Sequence, residues 1–561
     1  MTDLPPDRIF RLGSASEPWE QALAGFRSRK TASRIWHKDA TVWKTDSAHR
    51  EIIENALGWL EVAREMPSRV REIEFWCREV AGARHAVLCG MGGSSLAPEV
   101  FAKTFQRPDR PRLLVLDSTS PEQVRSVRAQ IDPARTVFLI ASKSGSTLET
   151  LTQERYFRQE AEAAAGSIAA ASKLFVAITD PGSPLERRAA REGYSRVFRN
   201  FHDIGGRYSA LSYFGLVPAA LCGADISALL DRARGAMAAC REPRNNPGLE
   251  LGAALGVLAR MGRDKLTIVC SAGIASFGTW LEQLVAESTG KEGRGIVPVE
   301  GEPLGDPGVY GNDRFFVYER LKDDSDGSVE QRLDRLSEQG QPVAAFSLDD
   351  RYAIAARMFV WEFAVAAAGS LLGIDAFDQP NVQESKDNTA AVLKDFTRRG
   401  RLPEEKTDWT EGGLEFRGAR LGDFLRSARR GKDYLSLQIY GERNDESEEV
   451  AGRIRTRLRD ATGCATTVGF GPRFLHSTGQ LHKGGPDEGV FLQFVSPGRG
   501  DVAIPGSTYG FAIFLEAQAI GDARALLSRK RRFLKCRFSG PSAAGLRDLA
   551  RAVSEACGSM K

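Results

Sequence analysis

Short, continuous apolar runs that end in small residues constrain the fold of this chain more than any other feature. Four of them, separated by amphipathic segments of helix length, are HAVLCG (85–90), RLLVLDS (112–118), TVFLIAS (136–142) and KLFVAITD (173–180). A strand that is apolar on both faces is typical of a parallel sheet covered by helices on both sides. The pattern therefore predicts an α/β unit built on a parallel sheet.

The same pattern occurs twice more along the chain. The second set is KLTIVCSAG (265–273), GRGIVPVEG (293–301), DRFFVYERL (313–321) and QPVAAFSLD (341–349). The third contains YLSLQIYG (434–441), GVFLQFVSP (489–497) and a helix candidate at 511–527. A chain of 561 residues is too long for one ordinary core. We predict a helical cover, two α/β domains and a C-terminal α/β segment, with bounds 1–55, 56–225, 226–395 and 396–561.

Composition and charge argue against several classes of protein. Lys plus Arg total 77 and Asp plus Glu total 73, which gives no electrostatic reason to expect nucleic acid or an anionic membrane as a partner. The basic tract RKRRFLKCR (529–537) is expected to be a solvated face or a helix end. The N-terminus, MTDLPPDRIF, is unlike a secretory signal, and no window reaches about 18 continuous apolar residues. The eight cysteines include no CxxC pair. We expect a cytoplasmic protein.

Two loops that follow predicted strands combine glycines with hydroxyl groups, GMGGSSLAP (90–98) and SKSGSTLET (142–150). Ligands of an open parallel sheet bind beyond the carboxyl ends of its strands, where glycine allows close approach and helix-start amides attract anions. Ser95 replaces the third glycine of a dinucleotide fingerprint, and Glu292 replaces the hydroxyl residue of a P-loop. Either loop alone could be a capped turn, but together they predict a site for a small phosphorylated metabolite.

Four further stretches carry acidic, basic and cationic groups near small residues. They are IGGRYSALS (204–212), EQLVAESTGKEGRG (282–295), FDQPNVQESK (377–386) and FLHSTGQLHKGG (474–485). Arg207 offers a planar cation for an oxyanion, while Gln283 and Glu287 are spaced to share one helix face. Singly, each charged group or histidine has an ordinary structural explanation. In combination they favour a catalytic site.

Taken in order, these motifs resemble those of the glucose-6-phosphate isomerase family. Its two sugar-isomerase (SIS) domains carry the patterns GxGGSxLxP, SKTxxTxET, GGRYS, QxxxES and DQxxVExxK, and the similarity covers roughly residues 55 to 390. The chain most resembles the isomerase half of transaldolase–isomerase fusion proteins, although no stretch resembles the transaldolase barrel. The resemblance implies an α/β fold with two flavodoxin-like SIS domains in a three-layer sandwich, plus the C-terminal α/β segment.

The resemblance also implies an activity. The family interconverts glucose 6-phosphate and fructose 6-phosphate through an enediolate, in glycolysis and gluconeogenesis. We therefore expect a small phosphorylated sugar as the ligand, no metal or other cofactor, no nucleic acid or membrane partner, and a homodimer.

Individual roles follow from the same resemblance. Glu287 matches the base that moves a proton between C1 and C2, Arg207 the arginine that stabilises the enediolate, and Lys386 the lysine that helps to open the sugar ring. The residues implied to bind the substrate phosphate are Ser142, Lys143, Ser144, Thr147, Ser94 and Gln283, with Gly93 and Gly206 adjacent to the substrate.

One departure from the family pattern concerns the histidine that opens the ring. Family members place it between the glutamate and the lysine, but here no histidine lies between Glu287 and Lys386. The matching stretch, LHSTGQ, follows the lysine, so His476 is the candidate and His482 the second choice. In related dimers this histidine can come from the neighbouring subunit.

Two other functions fit the sequence. One is a broader isomerase that also accepts mannose 6-phosphate. The other is a non-catalytic SIS sensor of a phosphosugar, which needs the phosphate loop but not Glu287, Arg207 and Lys386, so the presence of these three residues favours catalysis.

Overall fold

Strands and helices alternate along most of the chain in the computed structural model, which describes residues 7–324 and 326–560. The first six residues of the predicted N-terminal cover thus lie outside the described residues. The strands are β1 (Arg8–Arg11), β2 (His85–Gly90), β3 (Arg112–Leu116), β4 (Thr136–Ala141), β5 (Phe175–Thr179), β6 (Arg196–Arg199), β7 (Lys265–Cys270), β8 (Val297–Glu300), β9 (Arg314–Leu321), β10 (Val343–Leu348), β11 (Trp409–Glu411), β12 (Leu414–Arg417), β13 (Tyr434–Tyr440), β14 (Ala465–Gly471), β15 (Gly489–Val495) and β16 (Arg532–Arg537). The α-helices are α1 (Ser16–Ser28), α2 (Thr31–Trp36), α3 (Ser47–Glu54), α4 (Val62–Glu65), α5 (Val70–Glu79), α6 (Leu96–Phe105), α7 (Pro121–Ala129), α8 (Leu148–Ala165), α9 (Ile168–Ser172), α10 (Pro184–Glu192), α11 (Tyr213–Cys222), α12 (Ile226–Ala239), α13 (Pro247–Arg260), α14 (Phe277–Thr289), α15 (Gly327–Glu338), α16 (Ala353–Leu372), α17 (Val382–Arg399), α18 (Leu421–Arg426), α19 (Asp445–Thr462), α20 (Gly479–Gly484), α21 (Phe511–Ser528) and α22 (Ser542–Gly558).

The first sheet consists of five parallel strands in the order β3-β2-β4-β5-β6. Counted from its own first strand this order is 2-1-3-4-5, which is the flavodoxin-like order, so the predicted fold class is confirmed. The strand order reverses between β2 and β4, and the loops that leave these two strands diverge around a crevice. Those are the two loops that the sequence predicts to bind an anion.

The second and third sheets repeat the core of this arrangement. Strands β8-β7-β9-β10 are parallel, with β1 antiparallel at one edge, and β14-β13-β15-β16 are parallel, with β12 and β11 antiparallel beyond β16. In each case the four parallel strands follow the order 2-1-3-4. The predicted C-terminal α/β segment therefore has the same parallel core as the two preceding units.

Helix α16 lies in the centre of the N-terminal core. It packs against α12, α13 and α14, and apolar residues cover its whole circumference. It is the one helix in the described ranges that is long and apolar enough to cross a bilayer, yet 78% of its apolar window is buried inside the protein. A helix that is apolar all round and covered on all sides is a core helix.

The basic tract at 529–537 is not a solvated face or a helix end, so that expectation was wrong. Residues 532–537 form β16, which lies between β12 and β15, and Leu534 and Cys536 are fully buried. The cations are tolerated because carboxylates on neighbouring elements pair with them. These pairs are Arg531–Asp487, Arg532–Asp433, Lys535–Glu405 and Arg537–Glu516.

A fully buried ion pair joins α20 to α21. Lys483 Nζ lies 2.5 Å from Asp522 Oδ1, and the two side chains are 1% and 0% exposed. We expect Asp522→Asn to lower the free energy of unfolding by about 3 kcal/mol, because it leaves a buried lysine without its counter-charge. Urea unfolding measures this loss, and Glu449→Gln, which removes the exposed partner of Arg453, should cost about 0.5 kcal/mol or less. Equal losses of stability in the two variants would contradict the view that the buried Lys483–Asp522 pair stabilises the fold more than an exposed pair does.

Candidate active site

The loop between β4 and α8 holds a network of hydroxyl groups. Ser142 Oγ lies 3.0 Å from Thr147 Oγ1 and accepts a 3.1 Å hydrogen bond from the amide of Gly145, and the hydroxyls of Ser144 and Ser146 lie 2.9 Å apart. Thr147 precedes the first turn of the 18-residue helix α8, but its side chain does not cap the helix. The first amides of α8 therefore need another acceptor, and a phosphate group is the kind of anion that such a helix start binds.

Lys143, in the same loop, is directed away from these hydroxyls. Its Nζ forms an ion pair with Asp180, at the end of β5, and donates a 2.8 Å hydrogen bond to the carbonyl of His202. Burial raises the pKa of Asp180, and the contact with Lys143 opposes that rise. Lys143 thus fixes the loop to the neighbouring strand end, and its predicted contact with a phosphate group stays a prediction.

The glycine loop after β2 is wedged between two other parts of the chain. A Cβ atom at Gly93 would lie 1.9 Å from the carbonyl oxygen of Gly206, and one at Gly92 would lie 2.8 Å from the carbonyl oxygen of His476. Gly92 also has a φ of 55°, where a side chain is strained. Only glycine therefore fits at positions 92 and 93. Ser94, which follows Gly93, is buried. The loop thereby brings the Gly206 and His476 segments to the same crevice.

Arg207 is buried, at 2% exposure, and every nitrogen of its guanidinium group has a partner. Its Nη1 lies 3.5 Å from Glu287 Oε1. A planar cation that is fixed in this way is pre-organised to stabilise negative charge that develops beside it. The groups that hold the guanidinium are Ser288 Oγ at 2.7 Å, Gln379 Oε1 at 2.9 Å, and the carbonyls of Ala376 at 2.7 Å and Asp378 at 3.0 Å.

Helix α14 presents Gln283 and Glu287 on one face, as the i, i+4 spacing predicts. Gln283 Nε2 donates to Glu287 Oε2 at 3.0 Å and to the carbonyl of His476 at 2.8 Å. One carboxylate oxygen of Glu287 is therefore held by the glutamine, while the other faces Arg207. The side chain of Glu287 is 13% exposed, so the carboxylate is fixed but still reachable from the crevice.

His476 is paired with a carboxylate that sequence reasoning did not select. Its Nε2 lies 3.1 Å from Oε1 of Glu149, in the first turn of α8. Burial raises the pKa of Glu149. His476 lowers it through its charge and its hydrogen bond, and the charge of Lys386 lowers it further, so that the pKa is lowered overall. Glu149 is therefore ionised near neutral pH. Its one sequence signal is its place within SKSGSTLET, the motif whose hydroxyls drew attention first.

The C-terminal unit supplies His476 to the crevice from the same chain as the other site residues. His476 ends a 3₁₀ turn after β14, and Lys386 lies on α17, where its side chain is exposed. The structure thus brings Ser142, Thr147, Arg207, Gln283, Glu287 and His476 around one crevice, with Lys386 at its edge.

His482, the second choice, lies in a different environment. It is 2% exposed, its ring packs against Tyr434, Phe474 and Phe491, and its Nδ1 lies 3.3 Å from Nε2 of Gln438. Burial holds its pKa well below the ordinary value. His482 is a neutral histidine in the core of the C-terminal unit.

One group of side chains near Arg207 has the composition of a metal site. It contains His49, Asp375 and Asp378. Lys291 Nζ lies 2.6 Å from Oδ1 of Asp378, and His49 Nδ1 lies 3.1 Å from Oδ2 of Asp375. The lysine already supplies the positive charge that these carboxylates attract, so the group is explained as an ion-pair cluster that supports the Arg207 segment.

Comparisons with known proteins identify relatives of this chain. A family model for phosphoglucose isomerase matches residues 36–294. The glucose-6-phosphate isomerase of Citrifermentans bemidjiense is 30% identical over 391 residues, 59% of this chain and 72% of the relative. That of Rubrobacter xylanophilus is 30% identical over 389 residues, 60% of this chain and 86% of the relative.

Two solved structures share the fold. A hypothetical protein from Thermus thermophilus superposes with a TM-score of 0.59 and 25% identity, covering 68% of this chain and 99% of that one. A glucose-6-phosphate isomerase from Chlamydia trachomatis superposes with a TM-score of 0.50 and 23% identity, covering 65% and 78%.

Fold and relatives together define a phosphosugar isomerase of the parallel α/β class. Within that class, the chain belongs to the phosphoglucose isomerase family.

Proposed function

We propose that the protein interconverts glucose 6-phosphate and fructose 6-phosphate through an enediolate. The observation that carries the proposal is the carboxylate of Glu287, held by Gln283 at 3.0 Å and facing the guanidinium of Arg207 at 3.5 Å, in a crevice whose rim is a hydroxyl-rich helix start. The family is the basis for expecting a cytoplasmic homodimer that uses no metal or redox cofactor.

The first step of the proposed reaction opens the sugar ring. His476 takes the proton of the anomeric hydroxyl and then gives a proton to the ring oxygen, and Lys386 assists this exchange from the crevice edge. The ionised Glu149 beside His476 stabilises the imidazolium form of the histidine between the two transfers.

The second step moves a proton between neighbouring carbons. Glu287 removes the proton from C2 of the open aldose and the C1 carbonyl oxygen becomes the enediolate oxyanion. The hydroxyl proton of O2 then passes to O1, and the carboxyl group of Glu287 returns its proton to C1, which leaves the carbonyl at C2. Carbon acids of this kind are weak, so the negative charge needs a fixed cation, and Arg207 fills that role.

Phosphate binding would orient the sugar from the far end of the crevice. We expect Thr147→Val to raise the KM for fructose 6-phosphate by about 10-fold, since a hydrogen bond to a charged group is worth about 1.5 kcal/mol or more. Steady-state kinetics measures the change. Thr152→Val is the matched control, because its hydroxyl donates to the carbonyl of Glu149 one turn further along the same helix. A KM that is the same in both variants would contradict a phosphate site at this loop.

The direct test is conversion by the purified chain. Fructose 6-phosphate should yield glucose 6-phosphate in an assay that detects each sugar phosphate separately, with mannose 6-phosphate measured in the same samples. Mannose 6-phosphate as a second product would favour the dual isomerase. Binding of the sugar phosphate with no product would overturn the proposal and favour the sensor.

A further inference from the structure

A glutamine from the C-terminal unit touches the partner of the candidate histidine. Gln518, on α21, is 2% exposed, and its Nε2 donates a 2.8 Å hydrogen bond to Oε1 of Glu149. The same oxygen lies 3.1 Å from Nε2 of His476. In sequence the two residues are 369 positions apart, so the fold alone brings this amide to Glu149.

The two ends of the Gln518 amide have different partners. Its Oε1 lies 2.5 Å from the hydroxyl of Thr119, which is fully buried in the loop after β3. The ionised carboxylate of Glu149 can only accept a hydrogen bond, so the NH₂ group must face Glu149, and the hydroxyl of Thr119 then donates to the amide oxygen. A flipped amide would place its oxygen against the carboxylate of Glu149, which is unfavourable because neither group can donate a hydrogen bond.

The protonation of His476 follows from this chain of contacts. The NH₂ group of Gln518 donates to Glu149 and thereby favours its ionised form. An ionised carboxylate can only accept from His476, so the proton of the neutral imidazole resides on Nε2. The other ring nitrogen, Nδ1, has no hydrogen-bond partner in residues 7–324 and 326–560 and is left to exchange protons with a ligand.

We propose that Gln518 is a positioning residue that keeps Glu149 oriented and ionised, and thereby holds His476 in the Nε2–H tautomer. This inference rests on the proposed function only in assigning ring opening to His476. The C-terminal unit would then supply both the histidine and the group that fixes its tautomer.

Two measurements test the proposal. Imidazole ¹⁵N NMR of histidine-labelled protein, with the His476 signals assigned from His476→Ala, reports the tautomer without any turnover. Exchange NMR of the glucose 6-phosphate anomers in the Glu287→Gln protein reports ring opening without isomerisation. We expect the parent to show the Nε2–H form, Gln518→Leu to lose this preference, and the same change to slow ring opening by about 10- to 100-fold, as a lost hydrogen bond to a charged group predicts.

The matched control is Gln493→Leu on β15. Gln493 is also fully buried, but its amide donates at 3.2 Å to the carbonyl of Ala519 and does not touch the site. If Gln518→Leu fails to fold, Thr119→Val should loosen the tautomer preference, because it removes the hydrogen bond that holds the oxygen end of the amide. A tautomer unchanged in Gln518→Leu, or changed equally by Gln493→Leu, would overturn the proposal. The tautomer is measured without substrate. The NMR result can therefore be interpreted even if the protein does not isomerise the sugar phosphate and the proposed function fails.

Discussion

Glu287→Gln is expected to reduce isomerisation by about 10²- to 10⁴-fold, the usual contribution of a positioned general base. The amide keeps the shape of the side chain, and its one oxygen can still accept from Gln283 or from Arg207, but it cannot accept a proton from carbon. Steady-state conversion of fructose 6-phosphate measures the loss, and calorimetric binding of the same sugar phosphate should change little.

The matched control is Glu282→Gln, which makes the same change one residue before Gln283. The carboxyl group of Glu282 faces a separate cavity of about 300 Å³, where burial and the nearby Glu300 raise its pKa to about 8. Its substitution should leave turnover close to the parent. Equal losses in the two variants would mean that the helix, rather than the base, is affected.

His476→Ala has the second large expected effect. It should slow turnover of the cyclic sugar by about 10²- to 10⁴-fold, since it removes the acid and base that open the ring. Exchange NMR of the glucose 6-phosphate anomers should show that catalysed ring opening is lost as well. Full activity in His476→Ala would reject the histidine assignment.

Mixing two inactive variants tests which chain supplies the histidine. In the structure, His476 and Glu287 of one crevice belong to the same chain. A mixture of Glu287→Gln and His476→Ala proteins, unfolded and refolded together, should therefore recover no activity. Recovery of measurable activity would show that the histidine reaches the crevice of a neighbouring subunit.

The sequence predicts those parts of the fold that have a local signal. Continuous apolar runs mark β2, β4, β7 and β13, because strands buried on both faces need apolar side chains throughout. Strand β16 lacks that signal, since its cations are neutralised by carboxylates distant in sequence. Such pairing depends on the tertiary structure and cannot be seen in any short stretch of the sequence.

The residues of the candidate site also fall into those that the sequence predicts and those that only the structure shows. Local motifs identify Ser142, Arg207 and Glu287 because each belongs to a short pattern with a chemical meaning. In the sequence, Glu149 is only an acidic residue next to the hydroxyl groups of its motif, and Gln518 is one of several polar residues in a largely apolar helix. Both become site residues only when the C-terminal unit packs against α8.

The most direct test of the account is the fate of hydrogen during turnover. Fructose 6-phosphate is incubated with the purified chain in D₂O, and the products are observed by ¹H and ²H NMR. We expect glucose 6-phosphate with deuterium at C2, because the proton carried by Glu287 exchanges with solvent before it returns to carbon. Binding of the sugar phosphate with neither conversion nor deuterium incorporation would contradict the account.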